Sequence, residues 1–281
     1  MVQVKRLQIQ DIPGLIRLSE EVGWDYTRRE LLTIFNTGMV FGCKEEDQLI
    51  ACAAIIPYDL QTIASLGLVI VHPECRGLGL GRKVTTACIQ SVNLSQSTVI
   101  LVATEEGKVL YEKIGFKTVH SIYKYTHTIR ESIHVQGNPQ ILPYQDKQFH
   151  QMVDIDEKAF GDRREGFLRK RIKQSEKSVV LMDEAGEMKG YSLLIQTSQN
   201  AIIGPVVSEN RSQAVALIQE QLVNLSGNVR IDLTNPDQEI IQFLKGMGFE
   251  QVTQPPLMVL GKGILSWRNN QLVALASQAF G

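Results

Sequence analysis

The chain has 281 residues, enough for two domains at about 100–200 residues each and too many for a small stapled module. Hydrophobic residues make up 43% and charged residues 21%, a globular balance that excludes a disordered chain. With 29 basic and 30 acidic side chains the net charge is -1, which argues against a broad electrostatic grip on nucleic acid or anionic lipid.

In chain order, residues 2–7 read as a strand. Asp11 is placed to cap a helix carrying Leu15, Ile16 and Leu18, and Thr27 a second one carrying Leu31, Leu32 and Phe35. The apolar runs 39–43, 49–56 and 62–71 suit strands, and the acidic turn 45–47 predicts a hairpin between the first two. A glycine-rich turn at 77–81 leads into a helix predicted over 82–92. A buried strand at 98–103 follows, then a short helix at 108–114 that Gly115 stops in the left-handed conformation. Strands at 116–120 and 123–128 close the half. Gly137, Pro139 and Pro143, set among polar residues, place a linker at 131–143.

The second half opens with helical periodicity at 149–160 and 165–172. Strands are expected at 178–182, 188–195 and 201–207, a helix at 213–225, a strand at 229–233, a helix at 238–247 and a strand at 257–260. The two halves share this order of elements. Val71 and Val207 each end a run that leads to a helix, and Gly115-Phe116 and Gly248-Phe249 each end a short helix, at nearly equal separations. An internal duplication is therefore expected, with domains at 1–130 and 144–281. The fold class is α+β, with antiparallel strands first and a strand–helix–strand unit later.

The four cysteines, Cys43, Cys52, Cys75 and Cys88, form no C-x-x-C pair, and His120, His127, His134 and His150 lack metal-ligand spacing. No metal site is expected. No apolar run approaches the ~18–20 residues that span a bilayer, and the opening Met-Val-Gln-Val-Lys-Arg has no apolar signal core. A cytoplasmic protein without membrane or nucleic-acid partners is expected.

The sharpest local signal is Val71-His-Pro-Glu-Cys-Arg-Gly-Leu-Gly-Leu-Gly-Arg82. An apolar strand ends, Pro73 breaks the ladder, and three alternate glycines open a helix. Glycines let backbone amides approach a ligand closely, and a helix start adds unpaired N–H groups and a positive dipole end. Such a turn binds phosphate, with Arg76 and Arg82 adding charge-assisted contacts. The Walker pattern requires Gly-Lys-Ser/Thr, where this chain has Gly81-Arg82-Lys83-Val84. The dinucleotide fingerprint requires G-x-G-x-x-G, where the spacing here is G-x-G-x-G.

The loop resembles the signature V-x-P-x-x-R-G-x-G-x-G/A of the GNAT superfamily of N-acetyltransferases, with Val71, Pro73, Arg76, Gly77, Gly79 and Gly81 in register. The later run Leu110-Tyr-Glu-Lys-Ile-Gly-Phe116 is similar to a second GNAT signature. The resemblance covers residues 1–130, and residues 145–281 resemble the degenerate second domain of bacterial tandem members. It implies two GNAT-like domains, each a mostly antiparallel central sheet flanked by helices, and acetyl-CoA as the coenzyme.

By the same resemblance, amides of Gly77, Leu78, Gly79, Leu80 and Gly81 bind the coenzyme pyrophosphate, with Arg76 and Arg82 beside them. The strand edge at Leu68, Val69, Ile70 and Val71 pairs with the pantetheine arm, and an amide near Val69 polarises the acetyl carbonyl as an oxyanion-type donor. Tyr111 matches the tyrosine that protonates the departing thiolate; a core tyrosine on a helix is the alternative. Thr104 and Lys108 flank the thiol end, and Trp24 and Tyr26 line an acceptor pocket or, alternatively, a local core.

The matching place in the second half reads Val206-Val-Ser-Glu-Asn-Arg-Ser-Gln213, without alternate glycines and with Glu209 set to repel phosphate. One active site is therefore expected, in the first domain. The expected activity is acetyl transfer to a small-molecule or peptide primary amine by direct attack in a ternary complex. A non-catalytic acyl-CoA sensor or interaction protein is the alternative, and an oligomer stays open.

Overall fold

The computed structural model describes residues 2–131, 138–261 and 270–281; His134 and Gly137 lie outside them. The first half supplies β1 (Val4–Arg6), α1 (Ile12–Glu20), α2 (Arg28–Thr37), β2 (Met39–Glu45), β3 (Gln48–Pro57), β4 (Ile63–Val71), α3 (Leu80–Gln90), β5 (Thr98–Val102), α4 (Glu105–Ile114), β6 (Lys117–Ser121) and β7 (Tyr123–Ile129). The second supplies β8 (Ile141–Pro143), α5 (Phe149–Phe160), α6 (Glu165–Gln174), β9 (Lys177–Met182), β10 (Met188–Gln196), β11 (Ala201–Ser208), α7 (Arg211–Leu222), β12 (Gly227–Leu233), α8 (Gln238–Gly246), β13 (Glu250–Thr253), β14 (Pro256–Leu260) and β15 (Leu272–Ala274).

Local chemistry explains most of these boundaries. Thr27 caps α2: its Oγ1 accepts the Glu30 N–H at 3.2 Å while the Glu30 carboxylate accepts the Thr27 N–H at 3.4 Å, a closed capping box. Asp11 does not cap α1. A 3₁₀ turn, Ile9–Asp11, precedes that helix, and the Asp11 carboxylate accepts the Gln8 N–H at 2.7 Å and a Lys44 ammonium proton at 2.6 Å. The β2–β3 hairpin turns through Glu46 and Asp47, with φ of 46° and 65°, as a tight mirror-type turn requires. Gly115 stops α4 at φ 111°, its N–H donating to the Tyr111 carbonyl at 3.1 Å.

Two sheets result. The first has seven strands in the order β1-β2-β3-β4-β5-β14-β6; the second has eight, in the order β13-β7-β12-β15-β11-β10-β9-β8. Pairing is mostly antiparallel, with parallel steps at β4–β5 and β11–β12. The halves thus exchange one strand each. β7 pairs with β12 over Tyr123–Ile129, and β14 pairs with β5 from Leu257↔Val102 to Leu260↔Val99.

As a result each compact unit draws on both halves of the chain. One compact unit gathers residues 2–120, 256–261 and 279–281; the other gathers 121–131, 138–255 and 270–278. The expected linker is part structure too, because Ile141–Pro143 pairs with Leu181–Val179 at the sheet edge, the one place where a strand tolerates Pro143.

In the first unit, β3 and β4 cross the middle of the sheet. Ala64 and Leu66 of β4 join Ala51, Ala53 and Ile55 of β3 in a core with Leu80, Val84 and Cys88 of α3 and with Tyr111 of α4. The opposite face of β3 receives α1 and α2: a Cβ at Gly14 would sit 3.5 Å from Leu49 Cβ, and one at Gly38 would sit 2.8 Å from Ile56 Cγ1. The central strands are therefore covered on both faces, which is why they read as unbroken apolar runs.

Candidate active site

β4 is irregular where function is expected. Its pairing with β3 runs Cys52↔Ile70 and then Ala54↔Gly67, so Leu68 and Val69 together oppose Ala53 in a β-bulge. Leu68 has φ 54°, in the left-handed region, where a bulky side chain costs about 1–2 kcal/mol. The Cys52 thiol compensates by donating a hydrogen bond to the Leu68 carbonyl at 3.3 Å. Burial pushes that thiol up to about 12, so it stays protonated and able to donate. The carbonyl and the N–H of a trans peptide group point in opposite directions. With the Leu68 carbonyl held toward Cys52 on β3, the Val69 N–H of the same peptide faces away from β3. Nothing in the sequence signalled Cys52 as a functional residue.

On the other edge of β4, pairing with β5 covers only Ile63↔Thr98, Ala64↔Val99 and Ser65↔Ile100. Beyond that rung the two strands carry no ladder to each other. Gly67, Val69 and Val71 are half-buried there while Leu66, Leu68 and Ile70 are buried. The Val69 N–H is thus directed toward the unpaired edge.

The loop at the end of β4 leads into α3 through Gly79, its N-cap, at φ 73°. Gly79 has no side-chain oxygen, so the first-turn N–H groups lack a side-chain cap. Gly77 has φ 79°, and a Cβ at either glycine would meet no atom within 4 Å. The loop therefore enters the helix with uncapped first-turn amides and uncrowded glycines, the arrangement that helix N-termini offer to phosphate groups. Arg82 is exposed beside it. Arg76 lies 3.8 Å from Glu106, a solvent-exposed pair that is worth little and easily released. Gly81 has a different duty. A Cβ there would press on Leu110 at 3.3 Å and Val71 at 3.4 Å, so its bareness lets α3 pack against α4.

Tyr111 is 7% exposed, packed edge-on to Phe116 with ring centroids 5.8 Å apart. Burial, reinforced by nearby Cys88, raises its phenol above the ordinary range. Thr104 caps α4, its Oγ1 accepting the Gly107 N–H at 3.0 Å. Lys108 is 4.0 Å from Glu112 one turn on. Trp24 and Tyr26 lie in the α1–α2 connection, half-buried, with ring centroids 6.1 Å apart. Among the described residues no group of His, Cys, Asp and Glu is arranged to hold a metal, and no helix is long and apolar enough to cross a membrane.

Comparison with known proteins bears on what this geometry serves. Residues 36–118 and 152–274 each match a family model described as an acetyltransferase (GNAT) domain. The chain is 31% identical over 278 residues to YitH of Bacillus subtilis, named an uncharacterized N-acetyltransferase, covering 98% of this chain and 97% of that one. The chain belongs to the GNAT acetyltransferase family.

It carries two GNAT domains in tandem. Among solved structures, a candidate acetyltransferase from Pyrococcus horikoshii superposes with a TM-score of 0.79 at 19% identity, over 100% of this chain and 96% of that one. A tandem GNAT protein from the clavulanic acid biosynthesis pathway gives 0.66 at 14% identity, over 94% and 99%. At these identities the likeness is one of fold.

The second GNAT domain lacks both devices. β11 and β12 pair in parallel over Ala201–Ile203 and Val229–Ile231, but β15 then enters between them, with Val206↔Ala274 on one side and Leu233↔Ala274 on the other. The divergence is filled by the chain itself. The helix that follows is already capped, because Asn210 Oδ1 accepts the Gln213 N–H at 3.0 Å. There the edge is occupied by β15 and the Gln213 N–H of the first turn is taken by Asn210.

Proposed function

We propose that the first unit is an acetyl-CoA-dependent N-acetyltransferase that passes acetyl to a primary amine by direct attack within a ternary complex. The observation that supports it most is the β4 bulge: a main-chain N–H turned away from β3 toward an edge that β5 leaves unpaired. In this reading the amides of residues 77–81, with Arg76 and Arg82, hold the pyrophosphate. The edge at Leu68, Val69, Ile70 and Val71 aligns the pantetheine arm, and Thr104 and Lys108 stand at the thiol end at the start of α4. Trp24 and Tyr26 line the acceptor side, and the acceptor is a small amine or the amine of a peptide.

The coenzyme, when bound, supplies an acetyl group activated as a thioester. Val69 N–H holds the carbonyl oxygen as negative charge grows on it, a donor whose removal typically costs about 10²–10³ in rate. The attacking amine forms the C–N bond as the C–S bond breaks, and its released proton leaves to solvent. Tyr111 delivers a proton to the departing sulfur and recovers one from water. Because burial raises the Tyr111 phenol, it remains protonated through and beyond pH 10, so its ionisation should cause no loss of rate below that pH. Tyr111→Phe removes only the hydroxyl from a packed ring. It is expected to lower kcat about 100-fold and leave coenzyme affinity unchanged, measured by steady-state thiol release and calorimetry.

The decisive test is calorimetry with acetyl-CoA on wild type and Gly79→Glu. The substitution puts a side chain at φ 73° and a carboxylate at the start of α3. Binding by wild type and a loss of about 100-fold or more in the variant are expected. No binding by wild type, or equal binding by both, rejects the reading. Tight binding with no thiol release across a broad amine panel would instead assign an acyl-CoA sensor.

A further inference from the structure

The segment Ala279–Gly281 belongs to the compact unit that contains β4 and lies against the rung where β4 and β5 part. A Cβ placed on Gly67 would stand 2.9 Å from both Cα and O of Ala279. A Cβ on Gly281 would stand 2.7 Å from Ser65 Oγ and 2.5 Å from Ile100 Cδ1. Tyr58 ties the segment down: its hydroxyl donates to the Phe280 carbonyl at 2.6 Å. That hydroxyl has one proton, so at its 3.2 Å contact with Ser65 it is the serine that donates. Ala279 is 7% exposed and Phe280 0%, so these three residues are packed in place.

Their position follows from strand alternation. Ala64 and Leu66 face the core shared with α3, so Ser65 and Gly67 face the other way. Residues 279–281 cover that second face at the closed end of the divergence. Gly67 precedes Val69 by two residues, and the Leu68 bulge between them shortens the step below the ~7 Å that two regular strand residues span. A group held at the Val69 N–H therefore has only a few carbon lengths before it meets main chain.

The geometry points to residues 279–281 as the stop that sets acyl length in this site, with Tyr58 as its positioning residue and Gly67 as the bare surface on which it rests. This rests on the reading of β4 as the thioester site and deepens it: the unit accepts acetyl and similarly short acyl groups and rejects long ones. The acyl group is the leading end of a ligand that enters from the glycine loop along β4. An added run of methylenes would have to displace a segment anchored by a buried hydrogen bond and by contacts to Gly67, Ser65 and Ile100.

The test is calorimetry with coenzyme A, acetyl-CoA and hexanoyl-CoA on wild type, on a variant lacking residues 279–281, and on Tyr58→Phe. Circular dichroism melts confirm that each is folded. Wild type should prefer acetyl-CoA to hexanoyl-CoA by at least 10-fold. The shortened variant should lose most of that preference through tighter hexanoyl-CoA binding, with free coenzyme A affinity unchanged. Tyr58→Phe, which keeps the ring and loosens the tether, should fall between and serves if the shortened chain does not fold. An unchanged preference in folded variants that still bind coenzyme A overturns the inference while leaving the acetyltransferase reading intact. So does a wild type that binds both thioesters equally. If wild type binds no coenzyme A, the parent reading fails and this one falls with it.

Discussion

Expressed alone, residues 1–130 are expected to remain unfolded or to aggregate, although they contain the glycine loop, Tyr111 and one family match. The missing piece is β14. It occupies the place between β5 and β6, and Leu257, Met258 and Val259 are 1%, 0% and 8% exposed. Burying each contributes about 1.5–3 kcal/mol, roughly 5–9 kcal/mol together, as large as the net stability of a typical domain at about 5–15 kcal/mol. Without it, β5 presents an unpaired apolar edge at Val99–Val102, a template for aggregation, and β7 is left without β12. Residues 131–281 expressed alone lack β7 and should fail for the matching reason. Co-expressed, the two pieces are expected to recover a soluble complex by exchanging β7 and β14. Gel filtration and amide NMR spectra of each fragment and of the mixture check this. A well-dispersed spectrum from residues 1–130 alone would show that the exchanged strand is dispensable.

The sequence made the repeated order of elements legible because each half carries its own punctuation, such as Gly115 after α4 and Gly248 after α8. It showed the glycine turn because Gly77 and Gly79 adopt positive φ, which glycine takes at no steric cost. It could not show which sheet β7 and β14 join. Neither carries a signal for its sheet, β7 being mixed and β14 uniformly apolar, and their partners lie more than a hundred residues away, at Val229–Leu233 and Val99–Val102. The bulge was equally hidden. Leu68 is the residue type least expected in the left-handed region, and what holds it there is a contact to Cys52 on another strand. β15 and residues 279–281 are too short to show a period, yet one fills the divergence in the second domain and the other packs against Ser65, Gly67 and Ile100 in the first unit.

If the second domain has no open coenzyme edge, its polar interior has a structural reason to exist, and Asp156→Ala should expose it. The Arg164 guanidinium makes a two-pronged ion pair with Asp156, Nε to Oδ2 at 2.8 Å and Nη2 to Oδ1 at 2.7 Å, with both side chains 0% exposed. Tyr191 donates its hydroxyl to the same Oδ1. Phe160 stacks beneath the guanidinium with its centroid 3.8 Å from Cζ. Removing the carboxylate takes its two oxygens from a buried cation and a buried hydroxyl, a loss of about 3–5 kcal/mol. At about 2–4 °C per kcal/mol for a unit of this size, Tm should fall by roughly 6–20 °C. Pairing the change with Arg164→Met should recover part of it, because replacing both members of a buried ion pair by apolar groups costs less than removing one. The exchange of β7 and β14 adds a sharper expectation. Each sheet contains a strand covalently carried by the other half, so neither can melt and leave the other complete. Scanning calorimetry should therefore show one endotherm that moves as a whole, and coenzyme affinity measured below the transition should be unchanged. Two transitions of which only one shifts would mean that the sheets are stable separately, and that the exchanged strands serve as connections and not as shared parts of the two cores.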